Sequence, residues 1–275
     1  MDSHINKDTR LCMSLSARPG NFGTRFHNFL YRELGLNFVY KAFTTQDLRA
    51  AIGGVRALGI CGCAVSMPFK EACIELLDEL APSARGIMSV NTIVNTDGRL
   101  KGYNTDYQAV RALLEERAIP ADTAFALLGS GGMAKAVACA LRDLGFQGGV
   151  IVARNKTTGG ALAAQYGFRW IPELAANERP GLLINVTPIG MAGGADEETL
   201  AFANEQIAAA GHAFDVVALP AETPFIRRAL ASGKPVITGA EVIVLQAVEQ
   251  FALYTGVRPD AELIARAATF AREAA

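Results

Sequence analysis

An apolar run, Ala124-Phe125-Ala126-Leu127-Leu128, stops abruptly at Gly129-Ser130-Gly131-Gly132-Met133-Ala134 and passes into an alanine-rich helical pattern. A buried strand that meets three glycines within four residues and then becomes a helix leaves the backbone few options. It must turn tightly and enter a helix whose first N–H groups have no intrahelical partner. Those N–H groups, with the positive end of the helix dipole, suit a bound anion. Gly129 allows the turn, Gly131 lets the backbone approach a pyrophosphate, and Ala134 keeps the helix close to the strand. Ser130, Gly132 and Met133 complete the corner. The glycine pattern alone is weak, because it recurs by chance in glycine-rich chains; its context decides. The helix continues through Arg142 and Leu144 to Gly145, and Gly149-Val150-Ile151-Val152-Ala153 follows as a second strand. Strand, glycine turn, helix and strand in this order form a Rossmann unit.

The second strand also bears on which dinucleotide is held. In such units the residue that reads the adenosine ribose lies about 20 residues after the turn, and an Asp or Glu there binds a free 2′-hydroxyl. This chain has Ala153-Arg154-Asn155-Lys156-Thr157 instead. A carboxylate would repel a 2′-phosphate, whereas a guanidinium grips it with paired charge-assisted hydrogen bonds. The residues therefore favour NADP, with Arg154 as main contact and Asn155, Lys156 and Thr157 beside it. A solvated basic loop after an ordinary strand is the alternative.

At 275 residues the chain exceeds one typical domain. Half its residues are apolar and its net charge is −1, which argues against nucleic acid or an anionic membrane as partner. No apolar run reaches the roughly 20 residues that span a bilayer, and MDSHINKDTR is too polar for a signal peptide. A cytoplasmic protein, monomer or homodimer, is expected. Five scattered cysteines suit reduced core thiols. Cys61-Gly62-Cys63 has no second cysteine pair or histidine cluster to complete a metal site, so no metal is expected.

The periodicities predict two α/β domains. In the first, Leu11 to Leu15, Phe38 to Phe43 and Gly59 to Val65 read as strands, with helices from Gly23 to Glu33 and from a Thr45-Gln46-Asp47 cap to Leu58. A helix from Lys70 to Leu80 and a strand from Ser89 to Asn95, turning at Thr96-Asp97-Gly98, complete a small, mostly parallel sheet. A helix from Tyr107 to Glu115 leads into the Rossmann unit, whose strands are predicted at Phe125 to Leu128, Val150 to Ala153, Leu182 to Asn185, His212 to Val217 and Pro235 to Thr238. Apolar helices at Val242 to Tyr254 and Ala261 to Ala271 have no strand of their own to cover. They are expected to return to the first domain, giving a substrate domain (1–104), a Rossmann NADP domain (105–239) and closing helices (240–275), with the active site in the cleft between domains.

Two titratable residues fall where chemistry is expected. Lys70 follows a strand end and Pro68, and Asp106 follows Gly102-Tyr103-Asn104-Thr105 at the approach to the cofactor domain. A Lys and a carboxylate beside a nicotinamide would supply the proton that accompanies hydride transfer at a carbonyl. Spacing alone favours a surface lysine and a helix N-cap.

The motifs taken together decide between these readings. Ser14-Leu15-Ser16, Val65-Ser66-Met67-Pro68-Phe69-Lys70, Val90-Asn91-Thr92, Asn104-Thr105-Asp106, Gly129-Ser130-Gly131-Gly132, Asn185-Val186-Thr187-Pro188-Ile189-Gly190-Met191 and Gly239 to Gln246 stand in one order along nearly the whole chain. In this the chain resembles the shikimate dehydrogenase family, whose motifs read SxS, NVTxPxK, AVNT, GxNTD, GxGGxxxA, NATPxGM and GxxMxxxQ. The resemblance implies reduction of 3-dehydroshikimate to shikimate with NADPH, with quinate or NAD preferred by some members. It implies that Lys70 and Asp106 are the catalytic pair and that Ser14, Ser16, Ser66, Asn91 and Gln246 bind the substrate, a cyclic hydroxy acid. It places Thr187, Pro188 and Met191 in a loop beside the nicotinamide and Gly239 at its amide, and makes Val217 a further cofactor contact. The chain departs from the pattern at Ala64, where the family has Asn, at Ser66 for Thr, at Met88-Ser89 for Gly-Ala, and at Ala218 for a Tyr. Its Ser16 to His27 segment is longer and carries Arg18. The acid-base pair and cofactor corner are kept while the substrate pocket is altered. Quinate or another hydroxy acid as substrate is one alternative, and a non-catalytic NADPH-binding regulator is another.

Overall fold

The computed structural model describes residues 5–273. The chain opens with β1 (Arg10–Leu15), α1 (Phe22–Glu33), β2 (Phe38–Phe43), α2 (Leu48–Ala57) and β3 (Gly62–Val65). Next come α3 (Phe69–Ala72), a 3-10 turn (Ile74–Leu76), β4 (Glu79–Leu80), α4 (Pro82–Arg85), β5 (Thr92–Thr96), β6 (Arg99–Tyr103) and α5 (Thr105–Glu116). The strands form one six-stranded sheet in the order β2-β1-β3-β5-β6-β4. Its β2/β1, β1/β3 and β4/β6 pairs are parallel, whereas β3/β5 and β5/β6 are antiparallel.

Local chemistry accounts for several boundaries. Asp47 caps α2 as expected, its carboxylate accepting the Ala50 N–H at 2.9 Å. Asp97 and Gly98, both at positive φ, make the two-residue turn that joins β5 to the antiparallel β6. The predicted helix from Lys70 to Leu80 is corrected: only Phe69–Ala72 is α-helical, and the chain returns to the sheet at β4. The Asp78 and Ala81 N–H groups are drawn to the Leu100 and Gly102 carbonyls. Gly102 has no side chain, and Leu77 and Leu80 fill the space that a Cβ would take, at 2.7 and 3.1 Å. Sheet pairing and leucine packing therefore override the helical spacing. The strand expected from Ser89 begins only at Thr92, β6 was not anticipated, and the sheet is mixed rather than mostly parallel.

The second sheet contains β7 (Phe125–Leu128), β8 (Gly149–Val152), β9 (Arg169–Ile171), β10 (Leu182–Asn185), β11 (His212–Asp215) and β12 (Val236–Ile237) in the order β12-β11-β10-β7-β8-β9, parallel throughout. Between them lie α6 (Gly132–Asp143), α7 (Lys156–Tyr166), α8 (Asn204–Ala209) and α9 (Pro224–Ala231), and the chain closes with α10 (Gly239–Thr255) and α11 (Ala261–Arg272). Strand order reverses at β7/β10, the topological switch point where such sheets bind nucleotides. Every β7, β8 and β10 residue but Leu128 is buried, matching continuous apolar runs covered on both faces. Strand β9 escaped prediction because Arg169-Trp170-Ile171 is too short to show a period.

The chain divides into two compact units, one running to Thr105 and resuming at Val244, the other Asp106–Ile243. The first unit holds cores on both faces of its sheet. Phe26, Leu30, Tyr31 and Cys12 pack with Phe251, Tyr254 and Ala267 of α10 and α11 on one face, and Met13, Ile52, Val55 and Val65 pack on the other. Cys12 and Met13, adjacent on β1, enter opposite cores as strand alternation requires. None of the described helices is long and apolar enough to cross a membrane. Among the described residues no cluster of His, Cys, Asp or Glu could hold a metal.

Candidate active site

The serines and Asn91 singled out in the first unit lie toward the carboxyl ends of β1 and β3 and just before β5. Ser14 lies on β1 opposite Ala64 of β3, and Ser16 follows the strand, almost buried, its N–H donating to the Phe43 carbonyl. Ser66 is exposed and donates its N–H to the Leu15 carbonyl, and Val65 donates to the Asn91 carbonyl at 2.7 Å. Lys70, half-buried on α3, accepts the Val90 N–H on its backbone carbonyl. Ser14, Ser16, Ser66, Lys70 and Asn91 thus converge through main-chain bonds between neighbouring strand ends. Arg18 is exposed.

Asn91 is 2 % exposed, and its side-chain oxygen accepts from the Thr105 N–H at 2.8 Å, the Thr92 hydroxyl at 2.9 Å and the Thr105 hydroxyl at 3.2 Å. Its amide nitrogen donates to Oε1 of Gln246, on α10, at 3.3 Å. Asn91 and Gln246, 155 residues apart, are therefore brought together. Thr105 is the first residue of α5, so Asn91 caps the helix whose next residue is Asp106. Asp106 is 5 % exposed. Sequence reasoning missed Thr92, Thr105 and Gln250, which lies one turn beyond Gln246 on α10. The available signal was the Gln246/Gln250 spacing, which puts two amides on one face of the helix.

In the second unit the glycine corner is built as expected. Gly129 has φ +121°, and a Cβ there would stand 2.8 Å from Cγ2 of Val186 and 3.1 Å from Cγ2 of Thr187. The turn therefore needs glycine for its backbone conformation and for the close approach of the segment after β10. Gly131, the N-cap of α6, offers no side-chain cap, and a Cβ on Gly131 or Gly132 would meet nothing within 4 Å. An uncapped helix N-terminus facing open space is a cradle for an anion. Ala134 is fully buried, so the helix lies tight on the sheet. Gly129, Ser130, Gly131, Arg154, Asn155, Thr187 and Pro188 line one open cleft of about 630 Å³, with Pro172 and Asp196 as lining that sequence reasoning did not foresee. Arg154, Lys156 and Thr157 are exposed, and Met133 is half-buried. Asn155 spends its oxygen capping α7, accepting from the Thr157 and Thr158 N–H groups at 2.9 and 3.2 Å. Ser130 is hydrogen-bonded to the Thr158 hydroxyl at 2.8 Å. The cleft has the strand-end position, donors and cationic side chain that a phosphorylated dinucleotide requires.

A second buried network shapes the loops beside it. Asn185 donates to Asp215 at 3.0 Å and accepts from the Thr187 N–H and hydroxyl at 3.0 and 2.6 Å. Asp215 also accepts the Val217 N–H at 3.0 Å and the Thr223 hydroxyl at 2.7 Å. Burial pushes its carboxyl up to about 6. Met191 is 43 % exposed, on a loop tied back by its N–H to the Pro188 carbonyl. Val217 and Gly239 meet directly: a Cβ on Gly239 would lie 2.4 Å from the Val217 carbonyl oxygen and 2.3 Å from that of Val216.

Residues 22–93 match the shikimate dehydrogenase substrate binding domain family. A shikimate dehydrogenase-like protein of Haemophilus influenzae is 61 % identical over 268 residues, 98 % of each chain. A shikimate dehydrogenase (NADP(+)) of Pyrococcus abyssi is 37 % identical over 87 % of this chain and 89 % of its own. Among solved structures, shikimate 5-dehydrogenase of Thermus thermophilus in complex with NADP(H) and shikimate superposes with a TM-score of 0.84 at 32 % identity, covering 95 % of this chain and 99 % of that one. With its glycine cradle, Arg154 and polar strand-end cluster, the chain belongs to the shikimate dehydrogenase family of oxidoreductases.

Proposed function

We propose that this chain is an NADP-dependent dehydrogenase that interconverts the ring ketone and ring alcohol of a cyclic hydroxy acid, 3-dehydroshikimate and shikimate or a close relative. The observation that carries the reading is the side-chain-free N-terminus of α6, open above Gly131 and Gly132, in a unit where Arg154 lines the neighbouring cleft. Gly131 and Gly132 would hold the pyrophosphate, Arg154 the 2′-phosphate, and Thr187, Pro188, Met191, Val217 and Gly239 the nicotinamide end. NADP, when bound, supplies or takes up the hydride.

The remaining steps belong to side chains. Ser14, Ser16 and Ser66, hydroxyls at adjacent strand ends, bind the carboxylate and orient the ring. Asn91 and Gln246 hold a ring oxygen. Lys70 gives a proton to the carbonyl oxygen in reduction and takes it back in oxidation, with Asp106 as its partner. Ala64 and Ala218 offer no polar atom where the family pattern carries Asn and Tyr, which favours a pocket reshaped for an acid other than shikimate.

Absorbance at the reduced-nicotinamide band, followed with NADP and a panel of shikimate, quinate and related acids, tests the reading. Turnover of at least one acid is expected, and Lys70→Ala should lower kcat by about 10²–10⁴-fold while moving KM far less. Tight NADPH binding without turnover of any acid would sink the enzymatic reading in favour of a cofactor-binding regulator.

A further inference from the structure

The hydrogen bonds around Asn91 form a relay whose direction is dictated at each end by a main-chain group. A backbone carbonyl can only accept, so the Gln250 atom 3.5 Å from the Asn91 carbonyl is the amino nitrogen Nε2. The same Nε2 donates to the Thr92 hydroxyl at 3.1 Å. Thr92 has a single hydroxyl proton, and Oδ1 of Asn91, fixed as an acceptor, takes it at 2.9 Å, closer than the Thr105 hydroxyl at 3.4 Å. At the far end a backbone N–H can only donate, so the Asn91 atom facing Thr105 N must be oxygen. Both constraints agree. Asn91 cannot flip its amide without setting donor against donor at Thr105, in a site where Asn91, Thr92 and Thr105 are each 2 % exposed or less. Its NH2 is left to donate outward, to Oε1 of Gln246. That bond turns the Gln246 oxygen toward Asn91, engaging one of its two lone pairs, and leaves its NH2 to donate.

We propose that Gln250 and Thr92 are positioning residues that lock the Asn91 and Gln246 amides with their amino groups outward, so that this part of the site recognises a hydrogen-bond acceptor on the substrate and rejects a donor. The inference rests on the dehydrogenase reading for its substrate, and it deepens that reading by stating the polarity of the group bound. A ring oxygen presenting lone pairs meets two NH2 groups, whereas an ammonium in the same place is opposed by both and finds only the second lone pair of the Gln246 oxygen.

Two measurements test it. The first is kinetic: Gln250→Leu and Thr92→Val each remove one link at nearly constant volume. Each should raise KM for the acid by about tenfold, with kcat and NADPH affinity nearly unchanged, and Thr92→Ser, which restores the hydroxyl, should return KM to the wild-type value. Substrate analogues in which each ring hydroxyl is replaced in turn should show one position that tolerates fluorine and does not tolerate an ammonium group. Equal losses in kcat, KM and NADPH affinity, or failure of Thr92→Ser to rescue, would overturn the proposal, as would an ammonium analogue that binds as well as the parent at every position.

The second readout needs no turnover and so separates this inference from the dehydrogenase reading. The side-chain NH2 resonances of Asn91, assigned by their loss in Asn91→Asp, should exchange slowly with solvent in the wild type and at least about tenfold faster in Gln250→Leu. Unchanged exchange would refute the relay even if no substrate is found, and accelerated exchange without turnover would support the relay while the dehydrogenase reading fails.

Discussion

Gly129 and Gly131 stand two residues apart in the same turn, yet the structure gives them different reasons to be glycine, and alanine at each separates folding from cofactor binding. At Gly129, φ is +121°, and the new methyl would stand 2.8 Å from Cγ2 of Val186 and 3.1 Å from Cγ2 of Thr187. The disfavoured backbone costs about 1–2 kcal/mol and the overpacking about 1–3 kcal/mol, so Gly129→Ala should destabilise by roughly 2–5 kcal/mol. At Gly131, φ is −82° and nothing lies within 4 Å of the methyl. Stability should then change by no more than about 1 kcal/mol, from the small preference of an N-cap for glycine over alanine offset by a stiffer unfolded chain. The methyl would instead occupy the space through which a pyrophosphate reaches the α6 N–H groups. If that contact is tight, overpacking of about 1–3 kcal/mol weakens NADPH by roughly 5- to 150-fold. Urea unfolding with matched m-values measures the first effect, and fluorescence titration with NADPH measures the second. Gly131→Ala with unaltered NADPH affinity would refute the cradle. Gly129→Ala with unaltered stability would refute the account of the turn.

Two further outcomes follow from the same geometry. Arg154→Gln should weaken NADPH by about 10- to 150-fold, the worth of a charge-assisted pair at 1.5–3 kcal/mol, and leave NADH binding almost untouched; parallel losses for both cofactors would show that Arg154 does not read the 2′-phosphate. His27 is fully buried, stacked at 4.4 Å on Tyr40, and burial pushes it down to about 3. Because its folded value lies below its usual 6.5, its contribution to stability is complete above pH 6.5 and is lost as pH falls toward 3, on the order of 5 kcal/mol in all. Asp215, pushed up to about 6, acts in the opposite sense, so its contribution is largest in acid and fades as pH rises through 6. The difference in unfolding free energy between wild type and His27→Leu isolates the histidine and should shrink steadily from pH 6.5 to 4; parallel curves would sink the assignment.

Local sequence determined the parts of this protein whose physics is local. The strand at Phe125–Leu128, the glycine corner and the Asp47 cap were legible because a continuous apolar run, a short glycine spacing and a capping side chain each act within a few residues. The Lys70 to Leu80 segment reads as a helix and departs from one for the converse reason. Its spacing is helical, but the Leu100 and Gly102 carbonyls and the leucine-sized gap beside Gly102 compete for it from 20 or more residues away. Strand β6 and the mixed sheet follow from the same long-range pairing.

The candidate site divides along the same line. Arg154, Gly131 and the serines could be picked out by residue type and order, whereas what they can do depends on partners that no window along the chain contains. Asn155 reads as a cofactor contact but has committed its oxygen to capping α7. Gln250 belongs to no motif along the chain, and only the fold brings it 158 positions back to Thr92. The sequence by itself determined which chemical groups this protein possesses and that its second unit would carry a helix opening on a glycine turn. The tertiary structure decided which way those groups face, because the direction of a buried hydrogen bond is set by donors and acceptors that folding alone brings into contact.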